Sequence, residues 1–113
     1  MGCVRHQYGE KAYVGLVACT FNTGDVGANS CQGASACASN SGTIAKNACQ
    51  GDRACLSNSG QISKHACVGV EACQGNSGDI GKNGCQGDSA CENNTGKIGP
   101  NACQGERACK YNT

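Results

Sequence analysis

Residues 49–66 read CQGDRACLSNSGQISKHA, from Cys49 to Ala66. The same order returns on both sides of this stretch. From Cys31 onward the cysteines stand at 31, 37, 49, 55, 67, 73, 85, 91, 103 and 109, so their spacing alternates between six and twelve. Superposition at 18 residues gives coils 31–48, 49–66, 67–84 and 85–102 and a partial coil 103–113. Their shared pattern is C-x-G-x-x-A-C-x-x-N-[ST]-G-x-I-x-x-N-A. A period of this length is the signature of a solenoid, in which each repeat buries its apolar face only by stacking on its neighbours. Residues 13–30 form one more coil, with Tyr13 in place of the first Cys. Residues 1–12 fall outside the pattern, and Val4 and Tyr8, with Tyr13, supply apolar bulk where an open coil end needs covering. They are assigned as an N-terminal cap, leaving 13–113 as the solenoid.

Comparison among coils separates inward from outward positions. The two Cys columns and the column Val26, Ile44, Ile62, Ile80, Ile98 lie six or seven residues apart. That spacing suits three short strands per coil, each aiming one apolar side chain at a narrow axis, because alternate residues of a strand face opposite ways. The expected fold is all-β: a single-stranded, three-sided β-solenoid of triangular section, with 18 residues per coil and about six coils. Two corners carry Gly in every copy, as at Gly51 and Gly60, which implies positive φ or a backbone approach that no Cβ permits. The third corner, Gly27, Ala45, Ser63, Gly81 and Gly99, tolerates a Cβ and should have ordinary φ. The column Asn22, Asn40, Asn58, Asn76, Asn94, Asn112 is expected to bond turn backbone and to form a ladder along the stack. Helix is disfavoured, since apolar residues lack a 3.6 period. At roughly 4.8 Å per coil the rod is about 24 Å long before caps.

Composition agrees with a stapled rather than a conventionally packed chain. One Phe, three Tyr and no Trp in 113 residues leave a two-layer core short of large side chains, while twelve Cys exceed what is usual outside a disulfide scaffold. The formal charge of +1 gives no electrostatic footprint for nucleic acid or an anionic membrane. No apolar run reaches the length of a membrane span, and the start lacks the hydrophobic stretch of a signal peptide, so the chain reads as a mature or excised piece. Paired cysteines place it in an oxidising compartment, extracellular or at a cell surface.

Two regular pairings are open, within a coil (C-x5-C) or between coils (C-x11-C). Parity favours the first. It joins Cys31 with Cys37, Cys49 with Cys55, Cys67 with Cys73, Cys85 with Cys91 and Cys103 with Cys109, and leaves Cys3 for Cys19. Pairing between coils strands Cys3 and Cys109 at opposite ends. The within-coil scheme requires a bend between the two cysteines, because six residues of straight strand separate Cα atoms by about 20 Å. A metal site is disfavoured by the absence of C-x2-C knuckles, and a nucleophilic Cys by the repeat itself, which explains both columns. His6 lies in the cap and His65 replaces an Asn of a second column, Asn29, Asn47, Asn83, Asn101. Asp52, Asp88, Glu71 and Glu106 beside Arg53 and Arg107 read as solvated charge. No cofactor is expected.

With its Cys columns, Gly corners and thin core, residues 13–113 resemble the disulfide-rich β-solenoid class, whose best-known small members are the hyperactive insect antifreeze proteins. The resemblance is architectural. Those proteins carry outward ranks of Thr, commonly as Thr-x-Thr, whereas outward columns here are mixed, as in Thr20, Ala38, Leu56, Gln74, Glu92, Lys110. The most regular outward column is Gln32, Gln50, Gln86, Gln104, interrupted by Val14 and Val68, and it is the candidate binding face. The leading expectation is a non-enzymatic spacer of a secreted or surface protein. A glycan- or protein-binding module using the Gln column or Lys46, Lys64, Lys82 is the first alternative, and ice binding the second. End-to-end self-association through the C-terminal coil is a further expectation, since an uncapped coil presents unpaired edges.

Overall fold

In the computed structural model, residue 18 and residues 20–113 are described. The expected cap 1–12 and the Cys3–Cys19 pair therefore lie outside the described residues. Successive turns of chain stack in parallel and in register at 18 residues: Ile44 pairs with Val26 on one side and Ile62 on the other, and Gln50 pairs with Gln32 and Val68. The molecule measures 34 × 19 × 18 Å. No helix occurs among the described residues, and none is long and apolar enough to cross a membrane.

Regular strand pairing is sparser than three strands per coil. It is confined to single-residue bridges in the Ile62 and Gln50 columns. The segment carrying the second Cys is instead a run of turns: in coil 49–66 the amide of Ala54 bonds the carbonyl of Gly51, Leu56 that of Arg53, and Asn58 that of Cys55. The disulfide accounts for the difference. With Cys49 and Cys55 Cα atoms 5.6 Å apart, the chain between them cannot be extended. Positive φ falls at Arg53 (57°) and Ser57 (59°), the third residues of the first and last of these turns, where a type II geometry needs it. Even here the coils remain paired. Cys55 N–H donates to the Ala36 carbonyl at 2.7 Å and Cys73 N–H to Ala54 at 2.6 Å, so backbone groups that would be orphaned in an isolated turn are satisfied by the coil below.

The axis is lined by the two Cys columns, the Ile62 column and small Ala side chains such as Ala54 and Ala66, buried apart from the partly exposed Cys103 and Cys109. The two Gly corners are needed for different reasons. Gly51 combines φ of 129° with a backbone so close to the next coil that a Cβ would lie 2.7 Å from the Gly69 carbonyl carbon. Gly60 has no such φ, but a Cβ there would overlap the Gly78 carbonyl oxygen. At the third corner Ala45 and Ser63 have ordinary φ, and the left-handed residue is the next but one, the Asn47, His65, Asn83 column, with φ of 59–62°. Asn is the non-Gly residue best suited to that region.

The Asn58 column is fully buried from Asn40 to Asn94. Asn58 donates from Nδ2 to Asn40 Oδ1 (2.8 Å) and to the Gly60 carbonyl (2.9 Å). Its Oδ1 accepts from Gly60 N–H (3.2 Å) and Asn76 Nδ2 (2.8 Å). Both donors and both acceptor sites of the amide are used. The ladder repeats from Asn22 to Asn112, always with the donor on the later coil.

Candidate binding groove

A groove of about 750 Å³ runs along the stack between the Gln50 column and the His65 column. Its walls follow from backbone conformation. The left-handed residues Asn29, Asn47, His65 and Asn83 turn the chain just before the buried Ala and Cys columns, and the Gln50 column stands three residues beyond that bend.

The Gln side chains are braced against the wall rather than splayed outward. Gln50 Nε2 donates to the carbonyl of Asn29 at 2.6 Å, Gln86 Nε2 to His65 at 2.7 Å and Gln104 Nε2 to Asn83 at 2.9 Å. Gln32 Nε2 donates to the Ser30 carbonyl at 3.1 Å. Each of the three long-range bonds spans 21 residues, slightly more than one turn of the stack. The sequence identified these four residues as one outward column but held no direct sign that the amides cap carbonyls. A Gln three residues after Asn29, Asn47, Asn83 and Asn101 was the available signal.

Two departures from the repeat meet in this groove. Val68 stands where a Gln would reach the Asn47 carbonyl, and it has no group to donate. His65 is the one imidazole in a column of amides and lies three residues before Val68 along the chain. The preceding column supplies Lys46, Lys64 and Lys82, all exposed. None of the three forms an ion pair among the described residues, and the groove lining contains no carboxylate.

Charges elsewhere are engaged differently. Arg53 and Glu71 pair at 3.0 Å and Lys110 and Glu92 at 3.5 Å, each pair joining adjacent coils. Such part-exposed pairs contribute at most about 1 kcal/mol. Asp52 and Asp88 do more than face solvent: their Oδ1 atoms accept the backbone amides of Ala34 and Val70, both at 3.0 Å.

All ten described cysteines of the two columns are bridged within coils: Cys31–Cys37, Cys49–Cys55, Cys67–Cys73, Cys85–Cys91 and Cys103–Cys109. Stacking brings Sγ atoms of Cys67, Cys73 and Cys85, and of Cys91, Cys103 and Cys109, within 4.8 Å of one another. These sulfurs are held in disulfides, which offer no thiolate to a metal ion. Five bridges in so short a chain fit an oxidising environment.

The chain matches a family described as a domain of unknown function, DUF7640, over residues 2–83 and again over 56–113. It belongs to the DUF7640 family. The two matches overlap, as a sequence that superposes on itself every 18 residues allows. No curated protein and no solved structure matches the chain. For this DUF7640 member the internal repeat, with its Cys pairs and its Asn ladder recurring at the same interval, is thus the main structural guide.

Proposed function

We propose that this chain is a non-enzymatic structural module of a secreted or cell-surface protein, a three-sided, disulfide-stapled β-solenoid that acts as a rigid spacer. One observation carries the reading: apart from the exposed Ser/Thr column of Ser59, the residues that recur in every coil are consumed by the interior or the Gly corners. The Cys and Ile columns fill the axis, the Asn58 column closes its own hydrogen bonds, and Gly51 and Gly60 permit coil-to-coil approach. Outward columns such as Leu56, Gln74, Glu92, Lys110 change chemistry from coil to coil, as a solvated surface can. The mixed outward columns also favour this reading over ice binding, which calls for a flat uniform array. An enzymatic reading has little support, since His65 has amides and Val68 rather than an acid or nucleophile beside it in the groove.

A rigid spacer resists proteases while its staples are intact. The test is trypsin digestion of oxidised and of reduced, alkylated protein, followed by mass spectrometry. The oxidised form should survive although Lys46, Lys64 and Lys82 are exposed, and the reduced form should be cut after each. Rapid cleavage of the oxidised form at those lysines would defeat the spacer reading.

A further inference from the structure

The groove departs from the repeat at a column that otherwise bonds the stack together. Gln50, Gln86 and Gln104 each cap a wall carbonyl, yet Val68, between Gln50 and Gln86 in the column, leaves the Asn47 carbonyl without that bond. His65, whose carbonyl Gln86 caps, replaces Asn in the same wall. Lys46, Lys64 and Lys82 rise in three successive coils beside that wall, at a spacing of roughly 4.8 Å. Like charges that close together disfavour each other, and no carboxylate offsets them, unlike Arg53 with Glu71 or Lys110 with Glu92. An anion with charges spaced along a line would offset all three.

From this juxtaposition we propose that the groove centred on Val68 binds a linear acidic polysaccharide. The lining selects that class. Amide side chains and the Asn47 carbonyl suit sugar hydroxyls and Val68 offers an apolar patch to the C–H face of a ring, while Lys46, Lys64 and Lys82, each next in sequence to a lining residue, would meet sulfate or carboxylate groups. An extended hexose is comparable in length to one coil, so successive sugars can meet equivalent residues of successive coils. A single-stranded nucleic acid would bring the same charge, but the lining holds no aromatic side chain on which bases could stack. This binding role is independent of the spacer reading, and a protease-sensitive protein could still show it.

The test is an NMR titration of the 15N-labelled oxidised protein with a heparin hexasaccharide and, separately, an oligogalacturonate hexamer. A neutral dextran oligomer and a single-stranded oligodeoxynucleotide of matched charge serve as comparisons. Amide shifts should cluster at Asn47, His65, Val68 and Asn83, and affinity should fall with salt. Val68→Gln restores the repeat, fills the groove and caps the Asn47 carbonyl. It should weaken binding roughly tenfold, equivalent to about 1.4 kcal/mol, without lowering stability. Replacing Lys46, Lys64 and Lys82 together by Gln should weaken it at least as much. The charge-matched replacement of Arg53, Arg107 and Lys110 by Gln should leave it within about twofold, because a local site and not net charge is at work. Binding of both acidic glycans supports a site for acidic polysaccharide with either charged group, and binding of one narrows it to sulfate or carboxylate. No binding of either, equal binding of the neutral oligomer or the oligonucleotide, or an unchanged affinity in Val68→Gln overturns the proposal.

Discussion

At the scale of single residues, the Asn58 column is where the fold is most exposed to substitution. Its amide is buried and makes four hydrogen bonds, two to its own turn and one to each neighbouring coil. Asn58→Ala leaves Asn40 Oδ1, Asn76 Nδ2 and both Gly60 backbone groups without their partner. A loss of about 3 kcal/mol is expected, read as a shift of the denaturant midpoint of the oxidised protein. A change below about 1 kcal/mol would mean that water replaces the ladder. Ser57 gives a contrasting case. Its φ of 59° is inherited from the turn, and its side chain is exposed. Ser57→Val should destabilise by about 1–2 kcal/mol because a branched side chain is strained there, whereas Ser57→Gly should change stability little. Equal effects of the two would show that the turn relaxes its φ.

At the scale of the coil, the disulfide and the turn run form one unit. Closing six residues of sequence separation brings the Cα atoms of Cys67 and Cys73 to 5.6 Å. Replacing both by Ala should cost about 2 kcal/mol by the chain-entropy estimate, measured by chemical denaturation beside the same change at Cys103 and Cys109. The central pair should cost more, since the coil there packs on both faces and Cys103 and Cys109 are only partly buried. Much of this was legible in the sequence. A C-x5-C pair with Gly between demanded a bend, and an Asn repeated in every coil pointed to a ladder bonded to turn backbone. What was not legible is how far the bend extends. Sequence columns at Arg53 and Ser57 mix Ser, Arg, Glu, Phe, Gly, Asn and Tyr, with no common preference for positive φ, so nothing in them marks a turn. The conformation is set by the staple and by bonds to the next coil, not by the residues occupying it. The Gln column was legible as a column but not as a set of carbonyl caps, because a side chain that bonds backbone leaves no partner residue to find. The gap at Val68 takes its meaning from those caps.

Across the whole molecule, stability is a sum of coils and of the contacts between them, with hydrogen bonds, sulfurs and Ile side chains all continuous along one axis. The Asn ladder adds a direction, since every side-chain amide donates toward the coil before it. A stack built this way need not open all at once. Amides of coils flanked on both sides, such as Cys55 and Cys73, donate inward to Ala36 and Ala54 and open only when neighbours separate. In coil 103–113, Cys109 donates to Ala90 in the same way, but the residues around it, from Gln104 to Ala108, are exposed. Hydrogen exchange followed by NMR should therefore show protection highest at Cys55 and Cys73 and lower at Cys109 by more than about tenfold. Reduction of the disulfides should erase the gradient by exposing all three. A flat profile in the oxidised protein would mean that the coils open as a single cooperative block, and the additive picture of the stack would have to be abandoned.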